Sequence, residues 1–233
     1  MIITFVNKIP SCGKTSLCIA LANKLNDLPG DESKNVIIFD CDPKHTSYTK
    51  YDTYIKKYRK PPTNYQVLSL PLDKDGLVYK VINDVKDREG FFLFDMPSSN
   101  DESLYLRILV SSHIVVVPIS ENSINKSQEF VDYLHTLKTC LMNSKIKARS
   151  TFIVTPVFNK EESEVELSTF QKPDIIISPP VRYCEEVSEK LKPLDMTDFE
   201  CLPFNDYVNY ILKILKDYNN QAVPIETTIN ATN

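Results

Sequence analysis

No stretch of this 233-residue chain is apolar for the ~20 residues that a membrane span needs. No leader pattern precedes the first strand, since Met1 runs straight into Ile2-Ile3-Thr4-Phe5-Val6. A soluble, cytoplasmic protein with no transmembrane segment is expected. Positive charge is not in excess either: 27 Lys and Arg against 31 Asp and Glu give a formal charge of −4 and a pI near 5.5. The molecule lacks the field of a dedicated nucleic-acid binder, so any DNA binding would be local, weak and non-specific. The six cysteines are scattered, with no Cys-x-x-Cys pair and no histidine at ligand spacing, and read as reduced thiols. His45, His113 and His135 do not cluster by spacing, and no nucleophile elbow accompanies a Ser-His-Asp order. Histidine metal sites and serine hydrolysis are therefore poor readings.

What is present is an alternation of short apolar runs and helical periodicity. Runs at 2–6, 35–43, 65–70, 90–99, 113–119, 151–158 and 174–177 read as strands. Between them, helices are expected after Gly13, over 77–85, 104–110, 125–141, 181–191 and 206–218, the last with Val208, Ile211, Leu212 and Leu215 as its buried stripe. The strands are apolar on both faces, as parallel strands covered by helices on both sides must be. The fold class expected is α/β, a doubly wound, mostly parallel sheet with right-handed crossovers. At 26.7 kDa the chain suits one domain, 1–218, followed by an Asn/Thr-rich tail, 219–233, with little to bury. The basic run Lys56-Lys57-Tyr58-Arg59-Lys60 reads as a solvated helix end more readily than as a DNA contact.

The stretch that carries chemistry is 2–16: a strand, the turn Asn7-Lys8-Ile9-Pro10-Ser11-Cys12-Gly13, and Lys14-Thr15-Ser16 opening a helix. It looks like a phosphate-binding loop, although the first glycine of that motif is Lys8 here and Pro10 stands inside the turn. Gly13 can bring bare backbone close to an anion, successive N–H groups form a cradle, and the helix N-terminus points the same way. Lys14 would reach the β- and γ-phosphates, and the Thr15 hydroxyl would ligate Mg²⁺. The thiol of Cys12, at this helix start, is expected to titrate low. An ordinary turn before a helix is the competing reading of Gly-Lys-Thr alone. Two further strands favour the phosphate loop: Phe39-Asp40-Cys41-Asp42 and Phe91-Phe92-Leu93-Phe94-Asp95 both end in acids where open α/β sheets bind ligands.

Taken in order, five blocks resemble the ParA/MinD-type partition and positioning ATPases, the P-loop group with a deviant Walker A motif. Asn7 to Ser16 stands where that family has Asn-x-Lys-Gly-Gly-x-Gly-Lys-Thr-Thr, and Asp40-Cys41-Asp42-Pro43-Lys44 resembles its Asp-x-Asp-Pro-Gln. Asp95-Met96-Pro97-Ser98, the strand ending in Pro118, and Ile177-Ser178-Pro179-Pro180-Val181-Arg182 complete the set. The resemblance implies ATP or ADP with Mg²⁺ as cofactors, phosphate contacts from Lys8, Ser11, Cys12, Gly13, Lys14, Thr15 and Ser16, and metal contacts from Thr15, Asp40 and Asp95. It further implies Lys14 and Asp42 as catalytic residues, adenine near Asn159 and Pro179, a homodimer closed by ATP, and stimulation by a ParB-like or adaptor partner. The departures are specific. The family's cross-dimer lysine position is Ile9, one residue from Lys8; Pro10 and Ser11 replace two glycines; Lys44 replaces a glutamine; and the chain has only four glycines. Two other readings stay open: a degenerate nucleotide-binding scaffold, and an ATP-dependent synthetase of the dethiobiotin synthetase type.

Overall fold

The structure is a computed structural model that describes residues 1–28, 35–44, 46–59, 61, 65–99, 106–120, 127–143, 151–158, 175–182 and 202–221. Strands β1 (Ile2–Phe5), β2 (Val36–Asp40), β3 (Gln66–Ser69), β4 (Phe91–Asp95), β5 (Ile114–Ser120), β6 (Thr151–Phe158), β7 (Ile175–Ile177) and β8 (Val181–Arg182) form one sheet. Their order is β3-β2-β4-β1-β5-β6-β7, with β8 also against β6, and every pairing is parallel. Parallel neighbours need crossovers, and helices supply them between β1 and β6: α1 (Lys14–Asn26), α2 (Thr46–Tyr58), α3 (Asp75–Lys86), α4 (Leu106–Val110) and α5 (Ser127–Asn143); a last helix, α6 (Leu202–Gln221), follows β8.

Alternation along β1 separates two cores. Ile3 and Phe5 pack with α1, Tyr51 of α2 and Phe204, Tyr207 and Ile211 of α6, whereas Ile2 and Val6 pack with Val78 and Ile82 of α3, Ile108 and Leu109 of α4 and Phe130 and Leu137 of α5. Helices therefore cover both faces, and the doubly wound reading is borne out. Leu17, Leu21 and Leu25 of α1 are fully buried as their spacing predicts. Cys18, Ile19, Ala20 and Ala22 are buried as well, because α1 lies between the sheet and α6 and so shows little surface to water. Its register brings Lys14 and Thr15 to the C-terminal edge of the sheet, where β1, β2 and β4 end together; Asp40 and Asp95 are direct partners in the β2–β4 ladder.

Two expectations are corrected here. Val181, expected to open a helix, instead forms β8 with Arg182, pairing Val157↔Val181 and Phe158↔Arg182. The cause is local: Pro179-Pro180 biases the chain toward extended backbone, and the three-residue β7 pairs only with Phe152, Ile153 and Val154, leaving the end of β6 open. Residues 183–191 of that expected helix lie outside the described residues. The last helix starts at Leu202 rather than Asp206 and runs to Gln221, so Asn219–Gln221 of the expected tail are helical. Pro203 is tolerated in the first turn, where its missing N–H has no partner to lose, and Phe204 and Tyr207 are both fully buried. The tail beyond 221 lies outside the described residues. No helix among them is long and apolar enough to cross a membrane.

Candidate nucleotide-binding site

The loop is anchored before it begins. Buried Asn7, at the end of β1, donates from Nδ2 to the Pro118 carbonyl of β5 (2.6 Å), and its Oδ1 accepts the Ile9 N–H (2.9 Å). The chain then turns through two left-handed residues, Ser11 at φ 55° and Gly13 at φ 95°. Gly13 is the N-cap of α1, and its carbonyl accepts the Leu17 N–H at 2.9 Å. A Cβ added at Gly13 would have room, 3.5 Å from the Val157 methyls, so glycine is needed there for its φ and not for space. Ser11 adopts a left-handed bend that glycine would take more freely.

This turn and the start of α1 wall a cavity of about 470 Å³. Ser11, Cys12, Gly13, Lys14, Thr15 and Ser16 line it, and Asp42 faces them. Seven of the anticipated residues are thus brought together. Pro10, Met96, Ser98 and Val157 complete the lining.

Lys14 is 7% exposed, and its ammonium lies 2.6 Å from Ser98 Oγ, 3.4 Å from the Ile9 carbonyl and 3.9 Å from Cys12 Sγ. The Thr15 hydroxyl donates to Asp95 Oδ2 at 2.7 Å. The other oxygen, Asp95 Oδ1, is buried with no hydrogen-bond partner among the described residues. Burial pushes the Asp95 carboxyl up to about 7, with the negative charges of Asp40 and Asp42 adding to the rise and the Thr15 hydrogen bond and Lys14 opposing it. A buried carboxyl with one bare oxygen beside a threonine hydroxyl offers the hard oxygen donors that a divalent cation favours, although no group of three or more His, Cys, Asp or Glu among the described residues is arranged to hold a metal by itself. By that test the residues fit magnesium.

Asp40 has a different occupation. Its Oδ1 accepts the Asp42 N–H (3.1 Å) and its Oδ2 the Tyr48 N–H (3.0 Å), so the carboxylate ties the β2–α2 turn to the first turn of α2. Asp42 lines the cavity with its Oδ1 accepting the Lys44 N–H at 2.8 Å. Cys12 departs from expectation: burial pushes its thiol up, outweighing Lys14 and the local backbone N–H groups that favour the thiolate. The same burial holds Cys18 and Cys41 well above the ordinary range, and all three are free thiols.

Lys8 does not line the cavity; its ammonium lies over the Tyr133 ring of α5, 5.5 Å from the centroid. Pro179 is half-buried after β7 and outside the lining, and Asn159 lies outside the described residues. The basic end of α2 is solvated, with Lys56 paired to Asp52 and Lys57 over the Tyr58 ring. His113 accepts the Ile2 N–H at Nδ1 and His135 is exposed on α5, while His45 lies outside the described residues. Asn7 and Ser98 were not singled out as site residues. Both stand in the blocks that carry the family resemblance, which is the signal that could have found them.

No family model matches the chain, and no curated protein matches it in sequence. Solved structures match in fold. McdA from Cyanothece, without nucleotide, aligns at a TM-score of 0.62 and 13% identity over 91% of this chain and 98% of its own. A plasmid partition protein from Borrelia burgdorferi aligns at 0.56 and 14%, over 94% and 98%. Cobyrinic acid a,c-diamide synthase from Mycobacterium smegmatis, with ADP and magnesium, aligns at 0.64 and 12%, over 94% and 96%. The chain shares with these three structures its doubly wound, mostly parallel α/β fold.

Proposed function

We propose that the protein is an ATPase that works as a nucleotide-dependent switch. Mg-ATP or Mg-ADP occupies the cavity at the start of α1, ATP closes a homodimer, and slow hydrolysis, stimulated by a ParB-like or adaptor partner, reopens it. Partition or positioning of a cargo is the use this cycle suits, and a cytoplasmic location goes with it. The observation that carries the reading is the convergence of Lys14, Thr15 and Asp95 at one cradle, with the bare Asp95 Oδ1 beside the threonine hydroxyl. ADP and magnesium in the structurally similar synthase support the same ligands here.

Bound magnesium supplies neutralising charge on the phosphates. The chain's own residues do the rest. Backbone N–H groups of the loop and the positive end of α1 hold the phosphate oxygens, and Lys14 adds a point charge. Thr15 and Asp95 hold the cation, and Asp42, across the cavity, orients the attacking water. Asp40 supports Asp42 by fixing the turn that carries it. Phosphoryl transfer asks mainly for positioning and charge neutralisation, which this set can provide.

The synthetase reading retains support from the synthase, which shares the fold and binds nucleotide; formation of a product from a small substrate would favour it. Calorimetry with Mg-ADP tests the shared premise. Lys14→Ala should lower affinity by about tenfold or more, since it removes a charge-assisted contact from a partly desolvated site. Equal affinity in wild type and variant would remove the phosphate-loop assignment.

A further inference from the structure

Lys14 carries its ammonium on a flexible four-carbon stem, and something must hold that charge over the cradle. An ammonium has three N–H donors, and three acceptors stand around this one. Two belong to its own loop and are long, the Ile9 carbonyl at 3.4 Å and Cys12 Sγ at 3.9 Å. The third, Ser98 Oγ at 2.6 Å, is short and comes from the segment that follows β4. That hydroxyl also donates to the Ile9 carbonyl at 3.3 Å, so its own proton is placed and its lone pair is left for the ammonium. The same segment begins at Asp95, which grips Thr15 at 2.7 Å. Adjacent residues of α1 are thus held at two points by one four-residue stretch, Asp95 at the threonine and Ser98 at the lysine.

We infer that Ser98 is the positioning residue of Lys14. Resting on the nucleotide-site reading above, this assigns the phosphate-engaged pose of the ammonium to a hydroxyl outside the loop. When an anion enters, the two long contacts yield their N–H groups to it and the short one stays. Ser98 touches no phosphate in this account; it acts through Lys14 alone.

The test has two arms. In the first, without nucleotide, acylation of Lys14 by an amine-reactive ester is followed by mass spectrometry, with the other lysines as internal references. Ser98→Ala should speed Lys14 modification severalfold, and Ser98→Thr, which keeps the hydroxyl, should restore the wild-type rate. An unchanged rate in Ser98→Ala overturns the inference whatever the protein binds. In the second arm, Mg-ADP affinity should fall roughly three- to tenfold in Ser98→Ala, recover in Ser98→Thr, and be indifferent to Ser98→Ala when Lys14 is already alanine. Tighter binding in Ser98→Ala would show the contact to be a brake and overturn the assignment. If Lys14→Ala itself leaves affinity unchanged, the nucleotide reading fails, and the labelling arm alone decides the role of Ser98.

Discussion

Asp95 is held in an expensive state, and its cost has a measurable sign. Folded, its carboxyl keeps its proton up to about 7, against 3.8 for the free group. Between those values the folded chain binds more protons than the unfolded one, so this group's contribution to stability is present at low pH and lost as pH rises through 7. Nucleotide-free wild type should therefore be less stable than Asp95→Asn at about pH 8, by an amount on the order of a few kcal/mol, and melt at a lower temperature, with the gap closing toward about pH 4. A pH-independent gap in paired thermal melts would contradict this. Ser11 gives a second residue-scale expectation. At φ 55° it carries left-handed strain of roughly 1 kcal/mol, partly offset by the entropy a glycine would lose on folding, so Ser11→Gly should stabilise by up to ~1 kcal/mol. Gly13→Ala, whose Cβ would sit in ordinary contact with the Val157 methyls but at φ 95°, should destabilise by about the same or more in urea titrations. That Gly13, Lys14, Thr15 and Asp42 face one cavity, with Asp95 against Thr15, was legible because phosphate-loop chemistry fixes both residue type and order along the chain. The contact of Ser98 with Lys14 was not, because a hydrogen bond between residues 84 apart leaves no trace in local pattern, and the use of Asp40's oxygens on the Asp42 and Tyr48 N–H groups was not, because it depends on how the chain turns from β2 into α2.

At the scale of elements, periodicity found α1, α3 and β1 to β7 to within a few residues, because each buries a face whose spacing is visible. It failed where packing overrode pattern. Val181, expected to open a helix, is β-branched and follows two prolines, and the free edge at the end of β6 selects the strand instead. The first turn of α6 was hidden by Pro203, although Phe204, Tyr207 and Ile211 make the stripe that docks it on α1. That docking contains a flaw. The Tyr207 hydroxyl is fully buried with no hydrogen-bond partner among the described residues. Removing an unsatisfied buried hydroxyl recovers its desolvation cost, so Tyr207→Phe should raise stability by about 1 kcal/mol in chemical denaturation. A loss of stability would show that the hydroxyl has a partner.

At the scale of the molecule, the doubly wound parallel sheet was readable from strands apolar on both faces alternating with helical runs, and the site falls where such sheets bind ligands. What the motif order could not carry is the state of association. Ile9 occupies the cross-dimer lysine position of the similar family, and Lys8, the substitute one residue away, rests on Tyr133 within its own chain. A second copy would have to draw that ammonium off the ring, a cation–π contact worth roughly 1 kcal/mol and within reach of a phosphate partner. Sedimentation velocity of the wild type with Mg²⁺ and a non-hydrolysable ATP analogue, beside Mg-ADP and no nucleotide, tests the switch most directly. The account predicts a dimer with the analogue alone and a monomer in the other two conditions; a protein that binds the analogue and stays monomeric would contradict it.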